Sequence, residues 1–276
     1  MKVAIYWILA ILITFGAIIY QRKTGPTYDK KVKVNIENEE YNFKLVRSHG
    51  GEKDCKIELE VADQNISGVF EYKKFPTKND WTKTSMNRED GKLTAILPHL
   101  PPAGKYEYKI TLVNNNHKFP LNDGHSVVIR FKGAVPGAVL IPHIFLMFFA
   151  MLLGNLAGIM AIFRYRKYKF FTKITVIALF IGGLVLGPWV QWYAFGEAWA
   201  GVPFAWDLTD NKTLVAFIFW MIAFFVNRKK ERPIYTIVAS IVMLIIYSIP
   251  HSMFGSQLDP ETGEIIQGWI QLFYYF

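Results

Sequence analysis

The sequence predicts a membrane α-helical protein: five transmembrane helices, with an all-β sandwich inserted on the extracytoplasmic side between the first and second. Three observations predict it. Apolar residues make up 52% of the chain and gather in blocks of roughly 17–25, the length that crosses a hydrocarbon core. Between the first two blocks, residues 24–135 change to a period-two alternation with frequent turn signals. Basic residues concentrate in two short connectors, 164–173 and 228–232, which hold nine Lys+Arg and one acid, Glu231. Short basic loops mark the cytoplasmic side.

The chain divides in order. Residues 1–23 form an N-terminal transmembrane anchor around the apolar run 3–20, which follows a single Lys2. A cleaved signal peptide has a shorter apolar core and an A-x-A-like site, and neither is evident, so a retained anchor is expected. Arg22 and Lys23 locally oppose the orientation assigned below, a conflict that long translocated segments tolerate.

Residues 24–135 read as soluble β structure. In Cys55-Lys-Ile-Glu-Leu-Glu-Val61, Cys55, Ile57, Leu59 and Val61 fall on one face and Lys56, Glu58 and Glu60 on the other. Similar runs occur at 41–47, 68–75, 81–86, 93–97, 106–113 and 126–131, separated by signals such as His49-Gly50-Gly51 and Asn114-Asn115-Asn116. Strands this short and this frequent predict a β-sandwich. Tyr72, Trp81 and Met86, then Gly91-Lys-Leu-Thr-Ala-Ile-Leu-Pro98 and Pro102-Ala-Gly-Lys-Tyr-Glu-Tyr-Lys-Ile110, resemble the bacterial immunoglobulin/fibronectin-III-like (Ig-like) envelope module over residues ~30–133. The resemblance implies an Ig-like fold and a spacer or docking role, with no activity attached.

Residues 136–267 read as a four-helix transmembrane bundle with apolar cores at 140–163, 174–193, 214–226 and 234–249. With the basic connectors inside, the N-terminus is cytoplasmic, and residues 24–135 and the C-terminus are extracytoplasmic, in a bacterial inner membrane. Residues 268–276, Gly-Trp-Ile-Gln-Leu-Phe-Tyr-Tyr-Phe, are too short to span and read as an interfacial aromatic tail.

The formal charge of +9 does not indicate nucleic-acid binding. Residues 21–135 carry 20 Lys+Arg against 15 Asp+Glu with signs interspersed, and the remaining excess lies in the loops that set topology. The lone Cys55 fits no disulfide or zinc spacing and reads as a buried strand residue. His49, His99, His117 and His125 fall in or beside turns and read as solvated. No G-x-S-x-G, H-E-x-x-H, P-loop or G-x-G-x-x-G pattern is present. The apolar cores are almost free of ionisable residues, Gln191 being the most polar residue found, which disfavours proton-coupled transport.

Candidate chemistry gathers at the outer ends of the helices. The connector 187–211 holds Trp189, Trp192, Trp199 and Trp206, three acids (Glu197, Asp207 and Asp210) and no basic residue. Asp207 can cap the following helix with Asp210 in its first turn; alternatively Glu197 and Asp207 act as proton carriers, an acid/base pair or partners of a ligand. The tryptophans fit an interfacial belt or a docking face. Pro142-His143 opens one span and Pro250-His251 closes another at the same face, with Met147 and Met151 below His143 and Met253 beyond His251. Imidazole ligates haem iron or copper, and thioether favours Cu(I); helix-end polarity and packing explain the same residues without a metal. Two readings stand: a non-catalytic assembly or partner-binding component of a membrane complex, in contact with the lipid bilayer and with other membrane or periplasmic proteins, or a haem b or copper redox subunit using His143 and His251.

Overall fold

Apolar run length and strand alternation divide the chain physically as well as on paper. The structure, a computed structural model, describes residues 2–37, 39–250 and 256–267. It separates into two compact units: residues 1–26, 135–255 and 267–276, and residues 27–134 with 256–266. About 46% of the chain is helix and 27% strand, so it is a mixed α and β protein.

The helical unit contains α1 (Lys2–Thr24), α2 (Gly137–Ile162), α3 (Tyr168–Leu179), α4 (Gly187–Phe195), α5 (Leu208–Lys229) and α6 (Pro233–Ser248). A π-helical segment, Phe180–Leu186, joins α3 to α4, so 168–195 is continuous helix. Among the described residues four helices are long and apolar enough to cross a membrane: α1, α2, the α3–α4 rod and α5. The expectation of five full-length spans is corrected here, α6 being a shorter apolar helix. At its 16 residues, α6 rises only about 24 Å at 1.5 Å per residue, short of a core of roughly 30 Å. Pro233 starts it and the backbone turns extended at Ile249.

Small residues let these helices approach. Tyr6, Ala10, Thr14 and Ala17 form the buried stripe of α1, and Asn155 Nδ2 of α2 donates to Thr14 Oγ1 at 2.9 Å. Gly154 and Gly158 of α2 face α6. A Cβ on Gly154 would overlap Met243 Cε and lie 2.9 Å from Trp220 Cζ2, and one on Gly158 would overlap Ser240 Oγ. This small-xxx-small pattern is the usual means of close helix contact in lipid. Asn227 accepts from Tyr168 Oη at 2.6 Å and from the Arg232 N–H at 2.8 Å, pinning the α5–α6 turn to α3. Asn155 and Asn227, both buried, are thus structural polar residues of the helices.

The β unit contains β1 (Lys30–Ile36), β2 (Glu39–Leu45), β3 (Ser48–Gly50), β4 (Cys55–Glu60), β5 (Ser67–Lys74), β6 (Thr82–Ser85), β7 (Asn87–Glu89), β8 (Lys92–Leu97), β9 (Lys105–Asn114), β10 (His117–Pro120), β11 (Val127–Lys132), β12 (Ser256–Leu258) and β13 (Ile265–Gln267). The predicted Ig-like sandwich, separate and contiguous, is not what forms. The strands fall in four sheets: β1-β2, β4-β8-β7, β12-β13, and a larger one ordered β3-β11-β9-β5-β6 with β10 also on β9. β3 pairs with β11 in parallel, and β12-β13 arrives from beyond the last helix. Alternation marks a strand and its buried face but not its partner, which is why the elements were legible and the sheets were not.

One core serves the three sheets of residues 27–134, built on Ile57, Leu59, Phe70, Leu97, Tyr108, Leu112, Ile129 and Phe131. β4 alternates buried and exposed as expected. Burial pushes the Cys55 thiol up to about 11, so it is an inert core residue. Arg88 clamps the backbone, donating to the carbonyls of Val61, Asp63 and Ile66. Of the four histidines, His117 and His125 are exposed as expected; His49 and His99 are half-buried, their Nε2 atoms bonded to the carbonyls of Lys53 and Gly51.

The β12-β13 pair is held by Arg130 Nη2 donating to Ser256 O, by the Leu258 N–H donating to Ala103 O at 3.1 Å, and by Lys105 Nζ donating to Gln257 Oε1 at 2.6 Å. Burial, then the charge of Arg130, pushes the Lys105 amine down to about 7. The folded state then binds fewer protons than the unfolded state between that value and the ordinary lysine range. Stability of the β unit should therefore rise as pH increases from about 7 to about 10. Unfolding midpoints across that window should show the rise in the native protein and a flatter profile in Lys105→Met. An identical slope in both would remove Lys105 as its source.

Candidate functional site

The 187–211 connector is built by backbone donors finding carboxylate acceptors. Gly196, at φ 79°, ends α4 in the left-handed conformation, its N–H donating to Trp192 O at 2.8 Å. Asp207 caps α5: its side chain accepts from the N–H groups of Thr209 at 2.7 Å and Asp210 at 3.3 Å, while its own N–H donates to Ala200 O at 2.7 Å. Asp210 reaches back across the loop. Its Oδ2 accepts from the Ala200 N–H at 2.6 Å and from Gln191 Nε2 at 3.0 Å. Asn211 Oδ1 likewise accepts from the Val202 N–H at 2.8 Å. Gly201 is required where the loop crosses α5, since a Cβ there would lie 2.8 Å from Asp210 Cβ.

Two of the three acids are therefore engaged in a clasp. Asp207 and Asp210 are buried and hold the loop to the first turn of α5. The capping assignment of Asp207 agrees with the sequence; the cross-loop role of Asp210 was missed, because Ala200 and Gln191 become its partners only once the chain has folded back. Glu197 is half-buried, and burial, then the charge of Asp207, raises its carboxyl above the ordinary range. An acid/base pair of Glu197 with Asp207 is not supported, since Asp207 is committed to its cap.

The aromatics behave differently. Trp189, Trp192 and Trp206 are 58%, 59% and 64% exposed, and Phe204 at the loop's crest is 80% exposed. Trp199 is half-buried, its Nε1–H donating to Val202 O at 3.2 Å. The clasp thus presents large apolar surface from a backbone that its own hydrogen bonds hold.

His143 lies where α2 passes the π-helical segment. Its Nδ1 is 2.9 Å from Gly182 O; a carbonyl only accepts, so Nδ1 carries a proton, and in the neutral ring Nε2 then keeps its lone pair. Gly182 and Gly183 leave room for Met147, whose Sδ would lie 3.3 Å from a Cβ on Gly182. Met147 also receives Tyr247 Oη at 3.8 Å, and Met151 packs in the same core. His251 and Met253 lie outside the described residues, as does the tail 268–276. Among the described residues no group of three His, Cys, Asp or Glu side chains is placed to hold a metal ion.

No protein-family model matches the chain, and no characterised protein or solved structure matches it either.

Lys212 is a further residue that sequence reasoning passed over. It is buried, one turn into α5, and Nζ donates to Ile249 O at 2.9 Å and Pro250 O at 3.4 Å. It thereby satisfies carbonyls at the C-terminal end of α6, a position where a cation is favoured. Its only sequence signal was a lone lysine beside an apolar run.

Proposed function

We propose that this chain is an integral membrane protein that acts as a non-catalytic assembly or partner-binding component, docking other membrane or extracytoplasmic proteins through the 187–211 connector. The single observation carrying this reading is the division of labour in that connector: Asp207 and Asp210 are engaged in holding it, while Trp192, Phe204 and Trp206 are offered outward. Rigid exposed aromatics over a hydrogen-bonded base are the composition of interface hot spots. In the orientation supported by the basic connectors, 164–173 and 228–232 are cytoplasmic, residues 24–135 and 196–211 are extracytoplasmic, and α6 leads back to the first turn of α5, where Lys212 meets Ile249 O.

A photocrosslinking amino acid placed at Trp192, Phe204 or Trp206 in native membranes should give protein adducts. The same group at Ile241, 53% exposed on α6, should give lipid adducts only. Lipid adducts alone at all four positions would reduce the aromatics to an interfacial belt and sink the proposal.

One observation favours a second reading, a haem b or copper centre. His143 donates Nδ1–H to a backbone carbonyl, the arrangement that fixes a metal-ligating imidazole with Nε2 as ligand. Met147 and His251 would be the remaining ligands to consider. Iron or copper well below one atom per chain in the purified protein excludes this reading and leaves the first untouched.

A further inference from the structure

The outer surface of the α5–α6 pair carries a second feature, unrelated to the connector. Phe219 and Ile222 of α5 and Ile234, Tyr235 and Val238 of α6 line a cavity of about 370 Å³. It opens away from the helical core, since Ile222, Ile234 and Val238 are 44%, 58% and 39% exposed while Trp220, on the opposite side of α5, is fully buried. A cavity at the lower end of the roughly 300–1,000 Å³ usual for small ligands takes one alkyl chain; a partner helix about 10 Å across does not fit.

Charge says what that chain is attached to. Positions 219, 222, 226 and 229 recur at helical spacing, so the groove's stripe on α5 runs directly to Lys229. Lys229 and Lys230 are exposed, and neither forms an ion pair among the described residues. The one acid of the connector, Glu231, faces away toward the other basic loop, with Oε1 3.5 Å from Lys169 Nζ and 3.7 Å from Arg166 Nε. The N-terminus of α6 begins at Pro233 and adds its partial positive charge at the same end. Tyr235 stands in that first turn, at the depth where phenols sit among headgroups.

We infer that the α5–α6 groove and the Lys229-Lys230 corner form a binding site for one anionic phospholipid, an acyl chain lying along Ile222 and Val238 and the phosphate meeting the two ammonium groups. The inference rests on the membrane reading but is independent of the docking role of the connector. Pairing an apolar groove with a basic rim separates this site from the general lipid contact of the other helices.

The test uses the full-length protein, purified in mild detergent and delipidated, with bound lipid counted by native mass spectrometry as phosphatidylglycerol or phosphatidylcholine is added. Native protein should retain one phosphatidylglycerol in preference to phosphatidylcholine. Lys229→Gln with Lys230→Gln should lower that preference by about fivefold per lysine, roughly the effect of one basic residue at an anionic surface. Val238→Trp, which fills the groove at a surface position, should lose both lipids while keeping the native unfolding temperature. Inorganic phosphate should not compete. Equal retention of the two lipids by native protein, an unchanged preference in the double variant, full retention in Val238→Trp, or competition by phosphate would each overturn the site. A protein that stays in solution without detergent would overturn the membrane reading itself, and partitioning shows this before any lipid is added.

Discussion

Gly154→Leu is expected to prevent the helical unit from reaching its native packing. At Gly154 the backbone of α2 runs against the side chains of α5 and α6: a Cβ overlaps Met243 Cε and comes within 2.9 Å of Trp220 Cζ2. Neither neighbour can move cheaply. Trp220 and Met243 are fully buried, and the indole Nε1–H is directed at Met243 Sδ at 3.2 Å. Overpacking a filled core costs about 1–3 kcal/mol for a few added methylenes, and a leucine adds a whole side chain where not even a methyl fits. Thermal unfolding in detergent should show a large loss, with early aggregation on size exclusion. Gly16→Leu on α1 is the control, because nothing lies within 4 Å of its Cβ position; if both variants unfold together, the close-contact account of Gly154 is wrong.

Asp210→Ala should loosen the connector more than any other single change in it. The substitution removes the acceptor of both the Ala200 N–H and Gln191 Nε2. Hydrogen bonds to an ionised acceptor contribute about 1.5–3 kcal/mol each, and a loss of about 3 kcal/mol in all is expected. Asp210→Asn keeps an oxygen in the Oδ2 position and should lose much less. Asp207→Ala removes a helix cap worth about 1 kcal/mol and should fall between them. Limited proteolysis within 196–206, together with the unfolding midpoint, orders the three. Equal resistance of Asp210→Ala and Asp210→Asn would mean that the cross-loop bonds do not hold the connector. A connector that opens in this way should also lose the protein crosslinks at Trp192 and Trp206, since the exposed rings need a fixed base.

What could be read beforehand was whatever a residue decides with its chain neighbours. The β4 alternation from Cys55 is set by the pleat, and the structure keeps it residue for residue. The capping role of Asp207 is equally local, as carboxylate and amide lie two residues apart. Run length found the apolar helices but overrated the length of the last, because hydropathy does not register where Pro233 starts α6 or where Ile249 ends it. The pairing of β3 with β11, the bond from Asp210 to Ala200 and the Lys212 contact with Ile249 all join residues that folding brings together. A small-xxx-small signal at Gly154 and Gly158 was present in the sequence, and it would have indicated the α2–α6 contact. Asn155 between them marks a different contact, that of α2 with α1, where Thr14 supplies its hydroxyl partner.

The strand pair at 256–267 sets a timetable. Residues 27–134 leave the ribosome well before Ser256–Ile266 exist, because the helices from α2 to α6 are made in between. At ordinary synthesis rates that interval is on the order of ten seconds. Throughout it, Arg130, Lys105 and the Ala103 carbonyl face the place that Ser256, Gln257 and Leu258 will fill. The β unit is therefore finished only after α6 has been translated, which makes its completion a signal that the helices between have already been made.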